Sequence, residues 1–230
     1  MPGLGYGRFA LTTGYGKPHW LWAGVEGLGT LTPMYTAAQA GLHLSAVIAD
    51  LMITVRRTYS FGHSFIPTAD SVGSDDLAQA NQPNAKSTVL DANLWGFLPC
   101  GRWLLTWELT YVRPFDQLPS MLLYEEVQRA VITKDGVVTS KLGPMMNLST
   151  TSQIYIGVLA EHLSLLGRRD SLLLRIGPNV WVELSRHWNL FGYLTWPVRG
   201  PDHLGAWSGM YGAAGFLYRF ATGEPRGRLP

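Results

Sequence analysis

The stretch LLLRIGPNVWVEL, residues 172–184, decides the fold because its two faces differ in polarity. The odd positions include the polar residues Arg175, Asn179 and Glu183. The even positions are apolar throughout: Leu172, Leu174, Ile176, Pro178, Val180, Val182 and Leu184. Alternation with a period of two is typical of a β-strand whose faces meet different surroundings. The stretch therefore predicts a two-faced strand.

The same alternation recurs along much of the chain. It is clear in residues 38–46, 90–98, 103–111 and 154–160. Further candidate strands are residues 20–31, 51–61, 188–198 and 206–220. Turn signals separate the segments, as at Thr32-Pro33 and Gly200-Pro201-Asp202. The sequence thus predicts an all-β chain of consecutive antiparallel strands.

Aromatic residues mark the ends of one apolar face. In residues 103–111 this face begins with Trp103 and ends with Tyr111, whereas the other face carries Thr106, Glu108 and Thr110. The two interfaces of a bilayer favour aromatic side chains at these positions. This pattern favours a strand that crosses a membrane.

The amino-acid composition also favours a membrane-spanning protein. Charged residues make up 15% of the chain, against about 25% in ordinary soluble domains. A spanning helix needs about 18 apolar residues, and candidate runs such as residues 44–55 are interrupted by a charge, here Asp50. A closed barrel is the other way to pair every backbone amide in lipid. We therefore predict a transmembrane antiparallel up-and-down β-barrel.

The segments give about ten strands, with twelve as the alternative, in a single domain over residues 1–230. Two long loops are expected, at about residues 62–87 and 114–150. Within the second, residues 121–132 are interpreted as a strand rather than a short helix. Lys134-Asp135-Gly136 then predicts a hairpin turn before a strand at residues 137–141.

The segment GFLYRF, residues 215–220, resembles the terminal-strand signal of bacterial outer-membrane β-barrel proteins. It has a Gly followed by aromatics spaced by two, here Tyr218 and Phe220. The resemblance implies an integral protein of a Gram-negative outer membrane, with the lipid bilayer as its partner. Residues 1–17 lack a basic start and an apolar centre, so we expect a mature or trimmed chain.

With the apolar face in lipid, the polar face of each strand points into the barrel. The predicted lumen-lining residues are Glu26, His43, Arg56, Asp91, Glu108, Glu161, Arg175 and Glu183. Two interpretations stay open. The charges either pair and fill a narrow lumen, giving a structural or scaffold protein, or form a narrow porin-like pore for small solutes.

Two other functions are alternatives. A soluble lipocalin-like barrel would turn the apolar face inward around an apolar ligand. An outer-membrane lipid hydrolase could use His63 and Ser64 as base and nucleophile, with acidic residues nearby at positions 70, 75 and 76. A scaffold would bind a protein partner through its long loops.

Several functional classes are not expected from the sequence, namely nucleic-acid binding, catalysis and metal or cofactor binding. The net charge is only +2 without a run of Lys or Arg, which argues against a nucleic-acid partner. Cys100 is the only cysteine, and the histidines lack partners at ligand spacing. We therefore predict no catalytic residues, no metal and no cofactor.

Overall fold

The protein is nearly all antiparallel β-sheet. The computed structural model describes residues 7–17, 21–61, 65–79, 85–115, 121–149, 153–185, 188–204 and 209–218. Within these ranges, fourteen strands form two sheets, one of eleven strands and one of three. There is also one short helix.

The main sheet has up-and-down topology, because each of its strands pairs with the next strand of the same sheet along the chain. Its strands are β1 (Gly7–Lys17), β2 (Leu21–Leu31), β3 (Tyr35–Ala46), β4 (Ala49–Ser60), β6 (Lys86–Cys100), β7 (Trp103–Pro114), β10 (Val137–Asn147), β11 (Ile154–Leu165), β12 (Leu172–Glu183), β13 (Trp188–Arg199) and β14 (Tyr211–Tyr218). A small sheet is formed by β5 (Phe65–Pro67), β8 (Met121–Glu125) and β9 (Ala130–Ile132). The helix α1 spans Ser74–Gln79.

The main sheet curls strongly around its polar face. Lys141 Nζ on β10 lies 3.3 Å from Tyr211 Oη on β14, although three strands separate β10 from β14. In a flat sheet, four strand spacings would hold these strands about 19 Å apart. The contact therefore crosses the concave side of a curled sheet, which we call the interior.

The polarity of the sheet is inverted relative to a water-soluble protein. Arg175 and Glu161 point into the interior and are 0% exposed. Large apolar side chains lie on the convex side, where Phe9 is 73%, Leu42 59% and Val198 60% exposed. Most of the charged side chains described on the main strands thus face the interior, while many large hydrophobic side chains face outward.

The small sheet covers one end of the interior. One of its apolar clusters joins Leu123, Ala130 and Ile132 to inward residues of the main strands, including Val89 and Leu163. A second cluster packs the opposite face of the small sheet against other segments of that end. Its members are Ile66, Val72, Leu77, Leu122, Tyr124, Val131 and Leu204. The small sheet is therefore held between the main strands and an outer layer containing α1.

The connections differ between the two ends of the main sheet. One end, here called the short-turn end, joins the strands through residues 18–20, 47–48, 101–102, 148–153 and 184–187. The other, the long-loop end, includes residues 61–85 and 115–136, which contain α1 and the small sheet. Because eleven strands alternate in direction, β1 and β14 run the same way.

Two expectations from the sequence need correction. The main sheet has eleven strands rather than ten or twelve, because residues 7–17 form β1, which is not among the segments predicted from the sequence. The region 114–150 contains β8, β9 and β10, and β10 continues to Asn147, beyond the strand predicted at residues 137–141. Residues 121–132 form a hairpin of two short strands, and the turn at residues 134–136 precedes β10 as predicted.

Among the residues that the structure describes, no helix has the length and apolar character needed to span a bilayer.

Candidate functional site

The interior face is the candidate site, because charged side chains from most strands converge on it. The structure places all eight predicted lumen residues on this face: Glu26, His43, Arg56, Asp91, Glu108, Glu161, Arg175 and Glu183. Most are buried, and seven of them contribute to the three groups of contacts described below, together with residues that the sequence analysis did not select.

The first group links β7, β10, β11, β12 and β14. Arg175 Nη1 donates to Glu161 Oε2 over 2.9 Å. Lys141 Nζ lies 3.7 Å from the other oxygen of Glu161 and 3.2 Å from Glu108 Oε1. The ring of Tyr211 lies 4.6 Å from Lys141 Nζ. Each buried charge thus meets an opposite charge or an aromatic ring, which offsets the cost of removing it from water.

The second group connects β4 and β6 to the small sheet. Arg56 Nε lies 3.3 Å from Asp91 Oδ2, and Arg56 Nη1 donates to Glu125 Oε1 over 2.7 Å. Arg56 faces inward because it follows Thr54 by two positions on β4. One guanidinium therefore ties a main strand to the end of β8.

The third group lies towards the short-turn end. His43 Nδ1 is 2.8 Å from Glu26 Oε2, and His43 Nε2 is 3.0 Å from Asp50 Oδ1. Two carboxylates on one imidazole suit a protonated ring that donates from both nitrogens. The ring of Trp22 meets His43 edge-on, with centroids 5.1 Å apart.

The segment between β8 and β9 reaches into the interior. We call residues 121–132 the plug hairpin. Arg175 donates to the backbone carbonyl of Gln128 over 2.9 Å and also to that of Arg129. Ser60 Oγ donates to Glu126 Oε1 over 2.9 Å. Buried charge and apolar packing thus fix the hairpin in the long-loop end of the interior.

Two groups of the plug hairpin titrate abnormally. Burial raises the pKa of Glu126 to about 7, and the nearby Glu125 carboxylate acts in the same direction. The hydrogen bond from Ser60 and the charge of Arg129 oppose this shift. Burial also raises the pKa of Tyr124 to about 12. Glu126 is therefore the plug group whose charge changes near neutral pH.

An ion pair fastens the outer layer over the plug hairpin. Arg168 donates to both carboxylate oxygens of Asp202, over 2.6 and 2.8 Å. Arg168 also donates to the carbonyl of Val131 in β9 over 3.3 Å, and Asp202 accepts from the backbone N–H of Val72. The turn after β11, the plug hairpin and the segment before α1 are thereby joined.

The outer face carries aromatic side chains near both ends of the strands. At the short-turn end these are Tyr15, Trp103, Trp188 and Tyr218. Towards the long-loop end they are Phe9, Tyr59, Tyr111 and Trp196. Eight residues separate Trp103 from Tyr111, or about 27 Å along a strand.

Some predicted positions lie outside the described residues. These are His63 and Ser64 of the hydrolase alternative and Phe220 of the terminal-strand signal. Asp70, Asp75 and Asp76 are described and exposed. Within the described ranges, no group of three His, Cys, Asp or Glu side chains is placed to hold a metal ion.

Sequence analysis missed four contributors to the interior. Asp50 and Lys141 could have been found, because each shares the parity of inward polar neighbours on its strand, Thr54 and Thr139. Glu125 and Tyr211 reach their partners across the interior. No local sequence pattern could have predicted these contacts, because they join residues that are far apart in the chain.

Comparison with known protein families and with curated protein sequences finds no match to this chain. Its class therefore rests on fold and site: an all-β, up-and-down antiparallel sheet of eleven strands that curls around a charged interior.

Proposed function

We propose that this chain is an integral β-barrel protein of a bacterial outer membrane, with a filled and plugged interior. The observation that carries the proposal is the inverted polarity of the main sheet. Arg175 and Glu161 are fully buried, while residues such as Leu42 and Val198 are more than half exposed. Such an apolar surface suits lipid and is unfavourable in water.

The outer aromatic residues support membrane insertion. Rows of aromatic side chains near both strand ends match the girdles that lie at the two bilayer interfaces. In lipid, the edge amides of β1 and β14 also require partners. Because these two strands run in the same direction, a direct pair between them would be parallel.

The connections support an orientation. Barrels of this class have short periplasmic turns and longer external loops. We therefore place the long-loop end outside the cell and the short-turn end in the periplasm. The plug hairpin and α1 then cover the external mouth.

A structural role fits the interior better than a permanently open pore. Paired charges occupy the middle of the interior, and the plug hairpin packs into one end of it. Solute passage would require these contacts to break. The lipocalin-like alternative needs apolar side chains on the inner face, which is where the buried charges lie.

Refolding into lipid vesicles tests the proposal. The purified chain should insert without a helper protein, give a β-rich circular dichroism spectrum and migrate differently on gels before and after boiling. External protease should leave the strands intact. A monodisperse, water-soluble protein that ignores vesicles would contradict the proposal.

Planar-bilayer recording separates the structural role from the pore. A plugged barrel should insert without a sustained current. A steady, salt-dependent current from the unmodified chain would instead favour the pore.

A further inference from the structure

The charged side chains that the structure describes on the outer face of the main sheet all have one sign. Every described carboxylate of these strands lies on the interior face: Glu26, Asp50, Asp91, Glu108, Glu161 and Glu183. Among the strand residues whose side chains the structure describes, the outward charged ones are cationic: Arg57, Lys86, Arg113 and Arg199. All four lie towards the long-loop end.

Three of these cations are on neighbouring strands. Arg57 is on β4, Lys86 on β6 and Arg113 on β7, and these strands are consecutive in the sheet. Arg57 pairs in register with Thr88, and Arg113 with Leu90. Arg57 and Arg113 are two strand spacings apart and offset by two residues along the strands, which separates their backbones by about 12 Å, and Lys86 lies about 14 Å from Arg113. We call Arg57, Lys86 and Arg113 the basic patch.

The basic patch brings like charges together without an acidic partner among the described outward side chains. The guanidinium of Arg57 lies 5.9 Å from the centre of the Tyr59 ring, and Lys86 Nζ lies 5.5 Å from the same centre. Arg57 also donates to Thr88 Oγ1 over 3.3 Å. The ring and hydroxyl orient these cations but do not neutralise them, so an anion between them would relieve their repulsion.

From this geometry we infer that the basic patch binds the phosphate groups of an anionic membrane lipid. The inference rests on the proposed function, because it requires the outer face to lie in a bilayer. The patch sits beside the outward aromatics Tyr59 and Tyr111, at the depth where headgroups meet the apolar belt. Cations at this depth attract anionic headgroups, and guanidinium groups bind phosphate in a bidentate manner.

Native mass spectrometry of the inserted protein tests the inference. The chain is refolded into phosphatidylcholine vesicles containing a small fraction of phosphatidic acid, extracted gently, and its retained lipids are counted. The unmodified protein should retain phosphatidic acid well above its fraction in the vesicle. The triple variant R57Q/K86Q/R113Q should lose this enrichment by at least about tenfold.

Two single variants serve as controls. Arg199 is exposed on β13, away from the basic patch, where a bulge in the pairing with β12 places it opposite the outward Leu174. Arg102 is exposed in a turn at the short-turn end. R199Q and R102Q should keep the enrichment. Equal enrichment in the triple variant and the unmodified protein would overturn the inference, as would an equal loss in the controls. Failure to insert would contradict the proposed function, whereas insertion without lipid selectivity contradicts the lipid site alone.

Discussion

Arg56 on β4 and Glu125 at the end of β8 form a buried ion pair, with Nη1 and Oε1 2.7 Å apart. The pair joins positions 69 residues apart in the chain. It therefore couples the plug hairpin to the inner wall of the main sheet, and the stability of the sheet should depend on it.

Arg56→Met should destabilise the protein by about 3 kcal/mol, because it leaves Glu125 and Asp91 buried without their cation. Denaturant unfolding in lipid or detergent measures the change. Arg57→Met is the matched control: Arg57 is the next residue, points to the opposite face and is exposed, so its loss should cost about 0.5 kcal/mol or less. Equal effects of the two substitutions would contradict the assigned interior.

Glu126 should make the plug hairpin sensitive to pH. Its folded-state pKa of about 7 lies above the ordinary value of 4.5, so folding favours the protonated form. Its contribution to stability is complete below the ordinary pKa and is lost as the pH rises through about 7. The protection factors of the amides in residues 121–132, which correct for the base-catalysed rise in the intrinsic exchange rate, should therefore be lower at pH 8 than at pH 5.

Glu126→Gln keeps the size of the side chain and removes its titration. In this variant, the difference in protection factor between the two pH values should shrink markedly, and the protection factor at pH 8 should rise. An unchanged pH response would assign the effect to another group.

Arg175 should hold the plug hairpin closed, since it donates to the carbonyls of Gln128 and Arg129. Arg175→Met removes both hydrogen bonds. Each hydrogen bond contributes about 1.5 kcal/mol, so their loss should raise the fraction of molecules with a displaced plug hairpin on the order of a hundredfold. Displacement of the hairpin is measurable as brief current openings in planar bilayers. Asn179→Ala is the control. Asn179 lies on the same inner face of β12 as Arg175 and contacts Met145 of β10. Matching currents in the two variants would contradict the role of Arg175.

Gly24 should be sensitive to substitution because the indole of Trp22 lies over it. A Cβ at this position would sit 2.5 Å from the Trp22 ring and still closer to the carbonyl oxygen of Thr13. Gly24→Ala should cost about 1–3 kcal/mol, because the Trp22 ring has to move away from the added methyl group. Gly27→Ala on the same strand meets nothing within 4 Å and should be neutral. Equal unfolding midpoints for both would be inconsistent with this packing.

The two-faced strands could be predicted from sequence because polarity alternates residue by residue. On β12, Arg175 and Ile176 are adjacent in sequence but lie on opposite faces. The same alternation placed all eight predicted interior residues on one face. The apolar runs of β8 and β9 are buried on both sides, so periodicity could not distinguish them from a short helix.

Contacts across the interior could not be predicted. Arg56 meets Glu125, and Lys141 meets Tyr211, only because the sheet curls and the plug hairpin folds inward. β1 was missed for a different reason. Gly14 and Gly16 resemble a turn in sequence, yet Gly14 faces Gly24 in the sheet and leaves space for Trp22.

The most direct test of the central claim is a cysteine scan along β7 in vesicles, in a background lacking Cys100. Each cysteine, from position 104 to 111, carries a nitroxide whose collisions with lipid-soluble oxygen and a water-soluble relaxation agent are compared. The account predicts strict alternation, with positions 105, 107 and 109 in contact with lipid and positions 106, 108 and 110 shielded from it. Equal access of the water-soluble agent to both faces would contradict membrane insertion of this sheet.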